Sequence, residues 1–248
     1  MSEGQICYEA ADGIALITID RPAKRNALTS AMCADLYAAW QRFAASDDVR
    51  VAILAAAGDD IFTAGADLND PPPQFWQAVP NIGVPVSKPI ITAVSGPVIG
   101  AGVVIVAMSD LCVASETARF IYPEAKVGIA LGLVSSIVTR IPHKVAMELM
   151  LLGEPIDAAR AYQVGMVNRV VPAGKQVEAA KDMARVLAAN APLVVGMLKD
   201  MALETLPRGA TEAMYHNQRA INRVLQSADA KEGPLAFCEK RAPQFRGR

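Results

Sequence analysis

The sequence predicts an α/β core followed by a C-terminal helical region. Three observations carry this. Short β-branched runs alternate with helical stretches as far as Val171. Three amphipathic helical stretches then follow one another without an intervening strand. No long flexible linker divides the chain, so the expected organisation is a core over residues 1–190 and a helical part over 191–248.

The elements follow in order. Ile6 to Ala10 and Ile14 to Asp20 flank Asp12-Gly13, a two-residue hairpin signal. Arg21-Pro22 ends the second strand. Asn26 to Thr29 leads into a helix over Ser30 to Ala45, capped by Thr29 or Ser30. Val49 to Ala55 reads as a buried strand, Ile61 to Leu68 as a small-residue loop, and Pro71-Pro72-Pro73 as an irregular connection. A strand over Ile90 to Val94 precedes a turn at Gly96 to Gly102 and a buried helix from Val103 to Met108. Leu111 to Ala114 and Arg119 to Tyr122 are further short strands. Helices over Lys144 to Leu152 and Asp157 to Val164 stop at Gly153 and Gly165. A brief strand at Val167 to Val171 precedes the amphipathic stretches Val177 to Ala189, Leu193 to Glu204 and Ala210 to Gln226.

Composition removes several functions. The net charge of −1 carries no nucleic-acid footprint. Cys7, Cys33, Cys112 and Cys238 lack metal-binding spacing and read as reduced thiols in a cytoplasmic setting. Two histidines and no HExxH leave little for a metal site. Met-Ser-Glu-Gly is no secretory start. Pro89 to Ser109 is uncharged and long enough to span a bilayer. Its Ser95-Gly96-Pro97 break instead favours a buried strand, turn and helix.

Three segments carry candidate chemistry. Phe62 to Leu68 is rich in small residues, which allow main-chain N–H groups to approach a ligand; taken alone it reads first as a turn after a strand. Gly96 to Gly102 precedes an apolar helix, whose free N–H groups favour an anion or developing oxyanion; the alternative is tight helix packing that requires small residues. It is no dinucleotide fingerprint, because Ile105 stands where the third glycine belongs. Phe120 to Glu124 sets a carboxylate among apolar residues, where burial would raise its pKa toward neutrality; the stretch alone reads equally as an exposed loop carboxylate.

Together these segments resemble the crotonase superfamily, the enoyl-CoA hydratase/isomerase group. The match runs in order through Arg21-Pro22, Asn26-Ala27-Leu28, Ala64 to Leu68, the glycine segment ending at Asp110, Phe120 to Glu124, Leu152-Gly153, Ala161 to Gly165 and Phe237 to Arg241. The resemblance implies a spiral of ββα units with a C-terminal helical region, assembled as a homotrimer or a dimer of trimers. It implies an acyl-CoA substrate and no other cofactor, nucleic acid or membrane. By matching positions, Ala66 and Ala101 supply two backbone N–H groups to the thioester oxygen, and Glu124 is the acid/base. Lys24, Arg25, Ala27, Leu28, Ala64, Asp67, Leu68, Val104, Tyr122, Pro123 and Gly132 match positions around the substrate. Lys24 and Arg25 are candidates for a phosphate contact or solvated charges.

The sequence departs from the hydratase pattern at one position. Typical hydratases carry a second glutamate where Val104 stands. One glutamate with an apolar residue there resembles the mitochondrial-type enoyl-CoA isomerases, in which one carboxylate moves a proton from C2 to C4. Another isomerase type places its glutamate at the position of Gly132. Dehalogenase-like relatives need an Asp and a His; His143, after Pro142 at a helix start, reads as structural. Asp67 is read as shaping its own loop. The readings that follow are an isomerase, a hydratase, another crotonase-type lyase or hydrolase, and a non-catalytic acyl-CoA-binding protein.

Overall fold

The computed structural model describes residues 4–128 and 132–247. Strands β1 (Gln5–Ala11) and β2 (Ile14–Asp20) form the expected antiparallel hairpin. Asp12 and Gly13 both take positive φ, at 53° and 76°, as the tight turn requires. Helix α1 (Ser30–Ala45) follows, and the Thr29 hydroxyl accepts the Met32 N–H at 3.1 Å. Strands β3 (Val51–Ala56), β4 (Ile90–Val94), β6 (Leu111–Ser115) and β9 (Arg169–Val171) extend the hairpin into a six-stranded sheet, ordered β1-β2-β3-β4-β6-β9 and parallel from β2 onward. A second sheet joins β5 (Pro97–Ile99), β7 (Arg119–Ile121) and β8 (Ile156–Asp157).

The central strands are buried on both faces, which explains their unbroken apolar runs. Val51, Ile53 and Ala55 on one face of β3 meet Ala180 and Ala184 of α6 (Gln176–Ala189). Ala52 and Leu54 on the other face join the main core with α1 and α2 (Ala101–Met108). Between α2 and α6 lie α3 (Glu124–Val127), a 3₁₀ segment Gly132–Thr139, α4 (His143–Leu152) and α5 (Ala158–Gln163). Gly153 closes α4 at φ 58°, and Gly165 follows α5 at φ 78°.

Several boundaries differ from the sequence expectation. The stretch read as one turn, Gly96 to Gly102, contains β5, and α2 opens at Ala101 rather than Val103. Three residues are too few for a periodicity to show. After α7 (Pro192–Thr205) and α8 (Ala210–Leu225), a further helix α9 (Ala228–Cys238) was not expected. Gly233 and Pro234 inside it hide its pattern, while the Ser227 hydroxyl caps it through the Ala230 N–H at 3.1 Å. Among the described residues no single helix is long and apolar enough to cross a membrane, although α6 and α7, bent by 109°, pass that test as a pair. The uncharged Pro89 to Ser109 segment is divided among β4, β5 and α2.

Between β3 and β4 the chain forms a strap, residues 71–88, with a 3₁₀ turn at Phe75–Ala78. Phe75, Trp76, Val79 and Ile82 are buried. The Trp40 indole donates to the Ala78 carbonyl at 2.8 Å, and Trp76 stacks on Tyr215 of α8 with centroids 5.1 Å apart. Lys199 of α7 donates to Asn81 Oδ1, the Lys88 carbonyl and Asp110 Oδ2, at 2.9, 2.8 and 2.7 Å.

Asn26 joins the loop before α1 to the exit of β3. Its side chain accepts the Arg21 N–H at 3.0 Å and donates to the carbonyls of Ala57 and Ile61 at 3.1 and 3.0 Å. The residue is fully buried at φ 53°. Asn26→Ala leaves those partners unpaired and keeps an unfavourable backbone angle. The expected loss is about 2–4 kcal/mol in urea unfolding.

Candidate active site

Three segments converge at the N-terminal end of α2. The loop after β3 is stitched in place by isolated bridges, Leu28 to Ala66 and Thr63 to Val98. The Gly65 carbonyl accepts the Leu28 N–H and the Leu28 carbonyl accepts the Asp67 N–H, each at 2.8 Å. The Thr63 hydroxyl donates to the Asn26 carbonyl at 2.6 Å and accepts the Gly65 N–H at 3.0 Å. A β-carbon on Gly65 would lie 2.9 Å from the Ile99 carbonyl oxygen and 3.3 Å from the Ala101 nitrogen. Glycine there, at φ 91°, lets this loop close on the start of α2.

Ala101 is the first residue of α2, so its N–H has no intrahelical acceptor. Among the described residues, neither the Ala66 N–H nor the Ala101 N–H donates to a protein acceptor. Neither residue takes positive φ, so alanine is accommodated at both positions without backbone strain. Before it, Gly100 sits at φ 55°, ψ −114° and donates to the Ile121 carbonyl at 2.8 Å.

Glu124 enters from the third segment, at the first position of α3 after β7. It is only 6% exposed, and among the described residues its Oε2 has no hydrogen-bond partner. Gly100 faces it closely: a β-carbon there would lie 2.7 Å from Glu124 Oε1. Burial raises the carboxyl pKa from 4.5 to about 7, against a smaller opposing effect of its own backbone N–H. Tyr122 is buried beside it and its phenol is also pushed upward, first by burial and then by the Glu124 charge. Val104 is buried on α2, leaving no carboxylate at its position.

This shift has a stability consequence. Unfolded, Glu124 ionises near 4.5; folded, it holds its proton to about pH 7. The folded state is therefore unpenalised below pH 4.5 and loses relative stability as pH rises through 7. Glu124→Gln removes that cost, so the variant should exceed the parent by about 1–3 kcal/mol at pH 8 and show no such advantage at pH 4. Urea unfolding at both pH values reads the difference.

The remaining expected residues fall into two groups. Ala27, Leu28, Ala64 and Asp67 lie in the stitched loops, with Pro123 directly before Glu124. Asp67 does shape its loop: it pairs with Arg21 at 2.6 Å and accepts the Asn69 N–H at 2.9 Å. These bonds, the Arg21 one foremost, hold its pKa below the ordinary value. Lys24 and Arg25 are exposed on the 3₁₀ turn Pro22–Lys24 and its cap, and Leu68 is 71% exposed. Gly132 packs against Thr211 of α8, where a β-carbon would lie 2.9 Å from its hydroxyl. His143 is exposed at the start of α4. Sequence reading missed the Asn26 side chain and the facing of Gly100 on Glu124, because both depend on contacts between distant segments. Among the described residues no group of three His, Cys, Asp or Glu could hold a metal.

Comparison with known proteins gives the same neighbourhood. Residues 9–248 match the family model described as enoyl-CoA hydratase/isomerase. An enoyl-CoA hydratase of Mycobacterium tuberculosis is 37% identical over 94% of this chain and 93% of its own length. The (E)-benzylidenesuccinyl-CoA hydratase of Thauera aromatica is 34% identical over 98% and 99%. A crystal structure of a carnitinyl-CoA hydratase from Mycobacterium avium superposes with a TM-score of 0.75 at 38% identity, covering 98% of each chain. A buried glutamate facing the glycine turn of α2, in a chain matched nearly end to end, leads to one conclusion: the protein belongs to the enoyl-CoA hydratase/isomerase family, the crotonase superfamily, and is an enzyme of acyl-CoA thioesters.

Proposed function

We propose that this enzyme shifts the double bond of an enoyl-CoA by one-base proton transfer. The observation that carries the reading is the lone buried Glu124, with Val104 apolar at the position of the second carboxylate. Ionised Glu124 takes a proton from C2 of a 3-enoyl-CoA. The electron pair delocalises onto the thioester oxygen, which accepts hydrogen bonds from the Ala66 and Ala101 N–H groups. The resulting dienolate takes the proton back from Glu124 at C4, leaving the 2-enoyl-CoA. A pre-positioned pair of donors stabilises such an oxyanion by several kcal/mol relative to water. Val104 keeps water from a second activating group. Lys24 and Arg25 would meet a coenzyme A phosphate, a role supported by their exposure beside a loop that the Ala64 N–H ties to the Arg25 carbonyl at 2.9 Å. Coenzyme A belongs to the substrate, and no further cofactor is needed for this step.

A second reading, hydration of a 2-enoyl-CoA, is favoured by the names of the relatives, which are hydratases and dehydratases. Offering 2-enoyl-CoA and 3-enoyl-CoA separately decides between them. Interconversion of the two without accumulation of 3-hydroxyacyl-CoA is expected. Faster formation of the hydroxyacyl product than of the shifted alkene sinks the isomerase reading. For the assembly we propose a homotrimer or a pair of trimers, supported by the exposed apolar face of α7 at Leu193, Val194, Met197, Leu198 and Met201. Light scattering giving a monomer mass would exclude it.

A further inference from the structure

We propose that a cavity between the C-terminal end of α2 and helices α7 and α8 binds an organic monoanion with an aliphatic body, of the medium-chain carboxylate class. The cavity measures about 560 Å³, within the range of small-molecule sites. Its apolar lining includes Val106, Met108, Leu111, Ile137, Met166 and Leu203. Ala66, Ala101, Val104 and Glu124 are not among its lining residues. Along the axis, Met108 lies roughly 10 Å from Ala101, so the cavity and the Glu124 site occupy opposite ends of α2.

The charges lining the cavity do not balance. Arg140, Lys199, Arg208 and Arg219 face Asp110 and Glu212. Lys199 and Asp110 pair at 2.7 Å, and Arg140 and Glu212 at 3.6 Å. That leaves Arg208 and Arg219, which have no carboxylate partner within ion-pair distance among the described residues. Arg219 donates to the Ile82 carbonyl and to His216 Nδ1, the latter at 2.8 Å. Burial lowers its pKa first and the charge of Arg208 lowers it further, against smaller opposing effects of Tyr37 and Glu212. Two guanidinium groups that repel one another form a site for an anion, and their planar forks suit a carboxylate. The apolar walls would hold an aliphatic chain.

The face of α7 that lines the cavity is not the one that carries Leu193, Met197 and Met201. Lys199, Ala202 and Leu203 of α7 line the cavity, and Leu206, the extended residue that caps the helix, lines it as well. Leu193, Met197 and Met201, more than half exposed, lie on the opposite side of the helix. Self-association through Leu193, Met197 and Met201 therefore leaves the cavity lining in place.

Calorimetric titration of the full-length protein with decanoate, decanol and butyrate tests the site. Saturable binding of one decanoate per chain is expected, with decanol and butyrate each weaker by about tenfold or more. Arg208→Ala, at an exposed position, should weaken decanoate by about tenfold without shifting the unfolding midpoint. Leu206→Glu, which places a negative charge at the cavity wall, should abolish it. Equal affinity for decanol would overturn the anionic class. Unchanged decanoate binding in both variants would place the ligand elsewhere, and no saturable binding would overturn the site itself.

Discussion

Replacing Glu124 with glutamine is expected to lower kcat on an enoyl-CoA by about 10²–10⁴-fold while leaving KM within a few fold. Glutamine keeps the shape of the side chain and can still fill the space opposite Gly100. What it loses is the ability to take a proton and give it back. The carboxyl titrates near 7 because burial opposes its charge, and a group with that pKa passes through both protonation states at neutral pH. In the proposed isomerisation the ionised form abstracts the C2 proton, so kcat/KM of the parent should fall as pH drops below about 7. The variant should lose that limb together with its activity. Stopped assays with 3-enoyl-CoA across pH 5 to 9 measure both. Unchanged turnover in the variant removes Glu124 from the mechanism.

Gly100→Ala is expected to damage both stability and turnover, through two separable causes. The backbone at φ 55°, ψ −114° is strained for any residue with a β-carbon, at a cost of about 1–3 kcal/mol. In addition the new methyl would lie 2.7 Å from Glu124 Oε1, so the carboxylate must shift. A displacement of that kind costs about 10²-fold in a proton transfer that depends on position. Gly58→Ala is the matched control. It also has positive φ, at 78°, but a β-carbon there meets nothing within 4 Å. Urea unfolding of the two variants should show comparable losses, whereas kcat should fall only in Gly100→Ala. Full activity in a folded Gly100→Ala would mean that the glycine does not position the carboxylate.

Much of the frame was legible in the sequence, for local reasons. The hairpin at Asp12-Gly13, the Thr29 cap of α1 and the stop at Gly153 each depend on a few neighbouring residues and came out as expected. The continuous apolar runs of β3 and β4 also announced strands covered on both faces. Elements that exist only through distant partners were not legible. Strand β5 is three residues long and is defined by pairing with β7; α9 runs unbroken through Pro234, a residue that locally argues against a helix. The same division holds at the candidate site. Glu124 stood out as a carboxylate among apolar neighbours, and Val104 as an apolar residue where a carboxylate was looked for. The contact of Gly100 with Glu124 and the three-bond Asn26 junction connect segments far apart in the chain, and no local pattern encodes them.

The two-sided burial of the central strands sets an order on synthesis. Val51, Ile53, Ala55, Ile91, Ala93 and Val113 rest in the finished protein against Ala180 and Ala184 of α6. That cover leaves the ribosome about 70 residues after Val113, roughly 4–14 s later at ordinary elongation rates. Strand β9, which closes the open edge of β6, also emerges within this interval. During those seconds a β-rich apolar face and an unpaired strand edge are both uncovered, the combination that invites association between nascent chains. A chain released before α6 has formed should therefore aggregate, although the segments that assemble around Glu124 have already been made.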